Sequence, residues 1–394
     1  MELDILINIL ILLSATVVVV YICNFFKIPH LIGYLFTGIL LSPKSLNLVE
    51  EATEVEAYAE IGVILLLFSV GLEFSFGNLR KIQRYVLLGG FLQVILTIVV
   101  SSLLIVLMGR TLNESIFWGF VTCLSSTAIV VKTMQDKFQL NTPHGKVILA
   151  MLLFQDIVIV PLMLLTPILA GKGDNPLLEI GMLVVKLAAM VLLAWVLSKF
   201  IIPRYFKSIM KLQSQEIFLL STIVIILGIA LFTAQLGLSL ALGAFIAGLI
   251  VAETDYNKMA ISCFVPFRYL FISFFFISMG MLLDYRIFLD HLDLILFWFV
   301  FILFVKILAG FLASTALNVS RRTAFAVGLS LAQIGEFSFV LSKSGLDVGL
   351  ISETNYQIFL SVSILTMILT PFILNNLDAL LNKFNKVSWI KATN

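Results

Sequence analysis

The sequence predicts an all-α polytopic membrane protein with about thirteen transmembrane helices, and three observations support this fold class. Of its 394 residues, 61% are hydrophobic and only 12% are charged, whereas soluble domains carry about 25% charged residues. Apolar stretches of about 17–24 residues, long enough to cross hydrocarbon, recur with short polar joints. The alternating pattern of a membrane β-barrel is absent, so each stretch is predicted as a helix that satisfies its own backbone.

The apolar stretches follow one another along nearly the whole chain. The eighth and ninth are the hardest to separate, because residues 233–238 carry no charge. The predicted spans lie near 5–23, 30–48, 58–77, 85–108, 115–134, 147–170, 178–200, 216–234, 237–253, 264–283, 293–316, 323–344 and 355–377.

Basic residues are distributed unequally between alternate joints of these spans. One set of joints holds roughly 18 of the 25 Lys and Arg residues and the other roughly 5, with Lys186 and Lys306 inside spans. Because cytoplasmic joints carry the positive excess, the N-terminus is predicted outside and the C-terminus in the cytoplasm. The N-terminal stretch lacks a positive start and a small-residue cleavage site, so it is predicted as the first span.

Composition also excludes several classes of partner. No basic cluster is large enough to follow a phosphate backbone, so nucleic acid is not expected as a partner. The three cysteines lie in apolar runs without CxxC spacing, which supports neither a zinc site nor a disulfide framework.

The chain resembles itself at a shift of about 210 residues. The shift contains about seven spans, an odd number, so the two halves would cross the membrane in opposite senses. Inverted repeats are typical of secondary transporters, whose substrate site lies near the membrane midplane. The matched positions are 33–38 with 243–248, Gly71 with Gly280 at a shift one shorter, and Pro161 with Pro371.

Two opposite charges are predicted deep inside spans. Asp156 lies about ten residues into its span, where an ionised carboxylate costs roughly 2.5–3.5 kcal/mol. It is predicted to bind an ion, with a structural carboxylate as the alternative, and Gln155 is a hydrogen-bonding neighbour or a packing residue. Lys306 is predicted as a partner of Asp156, released when a cation takes the carboxylate, or else as a snorkelling lysine.

Two polar interruptions occupy corresponding places in the two halves. In the twelfth span Gly335 weakens the helix before Glu336, and Gln333 and Ser338 are available to satisfy freed backbone groups. Glu336 would either ligate the ion or offset the positive ends of half-helices. Paired interruptions of this kind indicate broken helices around a midplane site.

The matching interruption in the first half consists of three hydroxyl residues, Ser125, Ser126 and Thr127. They are candidate ion ligands beside Asp156. The alternative is that each hydroxyl bonds back to its own helix backbone.

Seven stretches of the sequence resemble the membrane domain of the glutathione-gated potassium efflux (Kef) branch of the monovalent cation:proton antiporter superfamily. They follow the family's order from about residue 25 to 375, and they include a Gln-Asp pair where sodium-exchanging relatives more often carry Asn-Asp or Asp-Asp. The stretches are HLIGYLFTG, AEIGVILLLFSVGLEF, LSSTAIVVKTM, LLFQDIVIVPL, GLSLALGAFIAGLIVAE, VKILAG and AQIGEFSFVL.

The resemblance implies a sodium/proton-antiporter-like fold in which spans 5 and 12 cross where they are unwound. It also implies a dimerisation domain (spans 1–3 and 8–10) and a mobile ion-transporting core (spans 4–6 and 11–13). The corresponding ranges are 1–84 and 213–290 for dimerisation, 85–175 and 291–378 for the core, 176–212 for a linker helix, and 379–394 for a cytosolic tail.

By position, the resemblance makes Asp156 the carboxylate that binds a proton or a K⁺ or Na⁺ ion, with Gln155 its neighbour and Lys306 the core lysine. Thr127 and Glu336 mark the crossing. No cofactor is expected beyond the transported ions, and the implied setting is a homodimer in the lipid bilayer of a bacterial inner membrane.

Members of this branch usually continue into a cytosolic nucleotide-binding domain that reads glutathione adducts. The sequence ends at Asn394 without a Gly-x-Gly-x-x-Gly run after a strand, so it is expected to be either a cut chain or a natural short form. Glutathione gating and nucleotide binding are not assigned to these residues.

The predicted function is potassium/proton exchange by alternating access, with competition at Asp156. A sodium/proton exchanger of the same fold and a gated potassium channel are alternatives, although a TVGYG-like channel filter is absent. An enzyme is not expected, because an intramembrane aspartyl protease needs two carboxylates that share a proton and Asp156 is the one deep aspartate.

Overall fold

The computed structural model describes most of the chain as helix. The described residues are 2–26, 28–42, 45–46, 61–62, 64–65, 67–69, 71–72, 83–171, 181, 185, 192–235 and 240–384. Every regular element within these ranges is helical and none is a strand, which confirms the all-α prediction.

The described helices are numbered here in chain order. Two π-helical segments, Tyr85–Gly90 and Leu197–Ile201, lead directly into the α-helices that begin at Phe91 and Ile202. The helices are α1 (Glu2–Phe25), α2 (His30–Leu41), α3 (Phe91–Leu107), α4 (Leu112–Cys123), α5 (Thr127–Asp136), α6 (Pro143–Leu169), α7 (Ile202–Met210), α8 (Gln215–Gln235), α9 (Leu240–Ala252), α10 (Asn257–Leu282), α11 (Tyr285–Asp290), α12 (Leu292–Thr315), α13 (Arg321–Ser330), α14 (Glu336–Asp347), α15 (Glu353–Asn375) and α16 (Leu377–Phe384).

Five described segments are long and apolar enough to cross a membrane, so the predicted number of about thirteen is not confirmed. Two predicted spans, 115–134 and 323–344, are each divided by a break into two short helices, α4 with α5 and α13 with α14. The predicted spans 58–77 and 178–200 lie largely outside the described residues. The five segments are Tyr85–Leu107, Pro143–Leu169, Gln215–Gln235, Leu292–Thr315 and Glu353–Asn375.

Two span ends differ from the predicted ones, at α2 and at α10. The second span was predicted to reach residue 48, but α2 ends at Leu41. Ser42 precedes Pro43 in the sequence, and a residue before proline is disfavoured in the helical region. In contrast, α10 begins at Asn257, seven residues before the predicted start at 264.

The chain divides into two compact units. The first comprises Met1–Thr16, Tyr34–Arg80 and Gly173–Leu282, and the second comprises Val17–Gly33, Lys81–Lys172 and Leu283–Asn394.

In the first unit, two glycine pairs let backbones approach closely. A β-carbon on Gly280 would come within 3.1 Å of the Gly38 Cα, and a β-carbon on Gly71 within 2.9 Å of the Gly248 Cα. Small residues at such contacts are typical of helices packed in membranes, where van der Waals contact replaces the hydrophobic effect.

In the second unit, α3 packs along α4, α12 along α13, and α15 against both α5 and α12. An apolar cluster formed by α5, α6, α12, α13 and α15 includes Met134, Met151, Ala313, Val327 and Leu374, all of them buried. This packing holds the two broken spans and the long helix α6 against one another.

Candidate functional site

The first broken span is interrupted between α4 and α5. Leu124 and Ser126 are extended, with φ/ψ of −86°/139° and −74°/107°. A helix end leaves backbone groups without intrahelical partners, so the carbonyls that end α4 and the N–H groups that start α5 need other partners.

Lys306 provides donors to the carbonyl end of α4. Its Nζ donates to the carbonyl oxygens of Thr122 at 2.7 Å and Leu124 at 2.9 Å, and its side chain is 1% exposed. A cation is favourable there because the C-terminal end of a helix carries partial negative charge. Lys306 on α12 therefore stabilises the first break.

The buried side-chain amides of Gln155 and Gln93 also hydrogen-bond to the backbone of this break. The Oε1 of Gln155 accepts from Ser125 N at 2.6 Å, and its Nε2 donates to Gln93 Oε1 at 2.6 Å. Gln93 Nε2 in turn donates to Thr97 Oγ1 at 3.1 Å and to the Cys123 carbonyl at 3.3 Å. Because both ends of the Gln155 amide are bonded, its orientation is fixed.

Asp156 faces the start of α5. The Thr127 hydroxyl, on the first residue of that helix, lies 3.0 Å from Asp156 Oδ1 and 3.1 Å from Oδ2. The Asp156 side chain is 3% exposed, and Asp156 directly follows Gln155 on α6. A carboxylate beside a helix N-terminus is stabilised by the partial positive charge of that end.

The second broken span is interrupted between α13 and α14. Ile334 N donates to the Thr366 hydroxyl oxygen at 3.2 Å, so α15 supports this break as α6 supports the first. Glu336, the first residue of α14, is 4% exposed, and its charge suits the N-terminal end of that helix.

The two breaks contact each other directly. Gly335 N donates to the Leu124 carbonyl at 3.1 Å, and Ser125 Oγ donates to the Leu331 carbonyl at 2.9 Å. A β-carbon on Gly335 would lie 2.5 Å from the Ser125 carbonyl oxygen, so only glycine fits this approach without displacement. We call this contact of residues 124–126 with 331–335 the crossing.

Gln333 and Ser338 do not serve the freed backbone groups of the second break, and in this respect the sequence-based expectation was wrong. Both side chains are fully buried, and neither the Gln333 amide nor the Ser338 hydroxyl has a hydrogen-bond partner within the described residues. Thr366, Leu124 and Ser125 serve the backbone there instead.

The structure brings most of the predicted site residues to the crossing, although not all of them to Asp156. Thr127 contacts Asp156 and Gln155 contacts Ser125, whereas the Ser126 hydroxyl caps α5 by accepting from Ile129 N at 3.3 Å. The ammonium group of Lys306 donates to two backbone carbonyls, and its pairing with Asp156 stays a prediction.

Two residues of this network were not singled out from the sequence, although each carried a signal. Gln93 is a polar side chain in the middle of an apolar run, which in a membrane helix often marks a hydrogen bond across helices. Thr366 lies 210 residues after Asp156, at the shift of the internal repeat, and so could have been found by following that repeat.

The donor set of the crossing suits an alkali cation or a proton. In the described part of the chain, no three His, Cys, Asp or Glu side chains come together as a metal centre. One carboxylate with hydroxyl, amide and carbonyl oxygens offers the oxygen ligands that monovalent cations use in selective sites.

Comparisons with known proteins identify the family of the chain. Residues 11–377 match the model of the family described as sodium/hydrogen exchanger, transmembrane. K(+) efflux antiporter 5 of Arabidopsis thaliana is 32% identical over 370 residues, covering 93% of this chain and 65% of the relative. K(+) efflux antiporter 6 of the same plant is 33% identical, with 92% and 61% covered. The chain thus spans less than two thirds of the length of these relatives.

The fold has a solved counterpart. The sodium proton antiporter MjNhaP1 from Methanocaldococcus jannaschii matches with a TM-score of 0.70 at 16% identity, covering 96% of this chain and 99% of that one. The family model and the plant relatives confirm the prediction that the chain falls within the cation:proton antiporters. The chain belongs to the sodium/hydrogen exchanger family.

Proposed function

We propose that the protein exchanges potassium for protons across the membrane, with both ions competing for Asp156. The observation that carries this proposal is the position of the Asp156 carboxylate. It is buried, faces Thr127 at the start of α5, and lies on the helix that supports the crossing.

The coupling follows from the cost of burying charge. A bare carboxylate in the membrane is costly, whereas the protonated and the cation-bound carboxylates are both close to neutral. The site can therefore change its access from one side to the other with either ion bound but not empty. Because proton and cation occupy the same oxygens, movement of one requires return of the other.

The neighbouring groups favour one proton per cation. The Gln155 amide carries no charge, and both its ends are engaged by Ser125 and Gln93. Lys306 donates to the carbonyls of Thr122 and Leu124, so its charge also offsets the end of α4, and a cation that displaces its predicted pairing with Asp156 need not remove its proton.

The proposed architecture has about thirteen spans in an inverted repeat, with the N-terminus outside and the C-terminus in the cytoplasm of a bacterial inner membrane. The repeat is supported by the paired contacts Gly38–Gly280 and Gly71–Gly248, because the shift of about 210 exchanges one pair for the other. It is also supported by the two breaks, since Ser125 N and Ile334 N donate to side chains of α6 and α15 respectively.

We assign transport to residues 85–175 and 291–378 and dimerisation to 1–84 and 213–290, with 176–212 as a linker and 379–394 as a tail. The assignment is supported by the second compact unit, which contains every residue of the crossing. The homodimer is a proposal, as is control by a nucleotide-binding domain supplied outside these residues.

Potassium is favoured over sodium by the relatives named as K(+) efflux antiporters, at 32–33% identity. The match to a sodium proton antiporter is only 16% identical, so it supports the fold and does not bear on the choice of ion.

The test uses sealed proteoliposomes with a preset pH gradient and a clamped membrane potential. Added potassium should collapse the gradient in the wild type, sodium should do so less effectively, and Asp156→Asn should abolish the effect of both. Full coupled exchange in Asp156→Asn would exclude the carboxylate mechanism. Potassium flux without a change in internal pH would indicate a channel.

A further inference from the structure

The second break contains a buried amide with unused hydrogen-bonding capacity. Gln333 is 0% exposed, and in the described part of the chain neither its Oε1 nor its Nε2 has a hydrogen-bond partner. Leaving such groups unpaired is costly, and an unpaired buried group in a native protein calls for a water or an ion that occupies it. The Ser338 hydroxyl, five residues further along the chain, is likewise buried and has no hydrogen-bond partner among the described residues.

The backbone of Gln333 is held against the first break. Leu331, two residues before it, accepts from Ser125 Oγ, and Gly335, two residues after it, donates to the Leu124 carbonyl. Two residues span at most about 7 Å, so Gln333 lies within that distance of both anchoring residues. It is therefore part of the crossing rather than of a remote core.

The charges at the crossing are unequal. Lys306 neutralises the carbonyl end of α4. The positions that correspond to it in the repeat, about 210 residues earlier, are Leu96 and Thr97, and neither carries a charge. The carbonyl end of α13 thus lacks the matching lysine. A mobile cation would offset the partial negative charge of that helix end.

We propose that Gln333 Oε1 and Ser338 Oγ form a second oxygen subsite for a partly hydrated monovalent cation on its way to or from Asp156. A water retained by the cation would accept from Gln333 Nε2 and so satisfy the other end of the amide. The inference rests on the proposed function, since it concerns the path of the same transported ion.

The test compares Gln333→Met, which keeps an unbranched side chain of similar shape without the amide, with Gln333→Glu, which keeps an oxygen in the place of Oε1 and adds a second. The matched control is Gln357→Met, because the Gln357 amide is also buried but bonds Asp284 N at 2.9 Å and Glu353 Oε1 at 3.1 Å. Melting temperature in detergent is measured with and without potassium, and exchange is measured in proteoliposomes.

Gln333→Met should melt in cation-free buffer at or above the wild-type temperature, because it removes an unpaired polar group. Its stabilisation by potassium should fall, and its apparent KM for potassium should rise about tenfold, as expected for one lost ligand to a charge. Gln333→Glu should retain the stabilisation by potassium. Gln357→Met should melt lower with an unchanged KM.

An unchanged KM and unchanged stabilisation by potassium in Gln333→Met would overturn the subsite and leave Gln333 as the ligand of a structural water. That result is distinct from failure of the proposed function, which would show as a wild-type protein without potassium-dependent proton flux.

Discussion

The two breaks of the crossing are built on one plan but completed differently. In each, a backbone N–H donates to a side chain of the following long helix: Ser125 to Gln155 on α6, and Ile334 to Thr366 on α15. At the first break, Lys306 and Gln93 bond the end of α4 as well. At the second break, the buried Gln333 amide lacks a bond to any described residue.

The difference separates a fixed side of the crossing from an adaptable one. At the first break, side chains of α3, α6 and α12 bond the backbone, so the geometry beside Asp156 is held before any ion arrives. At the second break, the Gln333 amide has no bond to a described residue and is available to a passing ion. A buried polar network that is fully satisfied makes the structure rigid, while an incomplete one stays costly until a ligand completes it.

The largest effect on this comparison is expected from removing the lysine of the first break. Lys306→Met leaves the buried carbonyl of Thr122 without its donor and that of Leu124 with the Gly335 N–H alone, and we expect a loss of about 2–4 kcal/mol in stability. Thermal unfolding in detergent measures it. Lys306→Arg, which keeps a charge and donors, should lose less, and equal losses in the two variants would show that the carbonyl bonds are not the cause.

The next largest effect concerns the contact between the breaks. Gly335→Ala places a β-carbon 2.5 Å from the Ser125 carbonyl oxygen, so the two breaks must separate at a cost of about 1–3 kcal/mol. Melting temperature and exchange rate should both fall. The control is Gly228→Ala, since a β-carbon on Gly228 meets nothing within 4 Å and should leave both quantities near wild type. Wild-type behaviour of Gly335→Ala would mean that the breaks do not need their close approach.

The smallest effect tests the amide pair. Gln93→Leu removes the partner of Gln155 Nε2 and a donor to the Cys123 carbonyl, so we expect a loss of about 1–2 kcal/mol in stability. Because the two amides act together, the double variant with Gln155→Leu should lose less than the sum of the single losses. A double-mutant cycle of melting curves measures the coupling, and strict additivity would contradict a shared network.

The sequence predicted the all-α fold, the family and the positions of both breaks. The deep charges and the repeated polar interruptions were visible because membrane helices hold few polar residues, so Asp156, Lys306 and Glu336 stood out against an apolar background. The hydrogen-bond partners of these residues could not be predicted from the sequence in the same way. Hydrogen bonds between helices depend on rotation and depth, which hydropathy does not determine.

Lys306 illustrates this limit most clearly. Its pairing with Asp156, suggested by the opposite charges, stays a prediction. Its bonds to the end of α4 could not be predicted from hydropathy, because that helix end exists only where the span is broken. Gln333 is a second case. Its side chain was expected to bond the freed backbone groups of the second break, whereas Thr366 on α15 accepts from Ile334 N there.

The central claim is competition between a proton and a cation at Asp156, and calorimetry of cation binding tests it most directly. Potassium is titrated into the purified protein in buffers of different ionisation enthalpy, which reveals the protons released per cation bound. The account predicts close to one proton released in the wild type at a pH where the empty carboxyl is fully protonated, about half a proton at the midpoint of its titration, and neither binding nor release in Asp156→Asn. Potassium binding without proton release in the wild type, or unchanged release in Asp156→Asn, would contradict it.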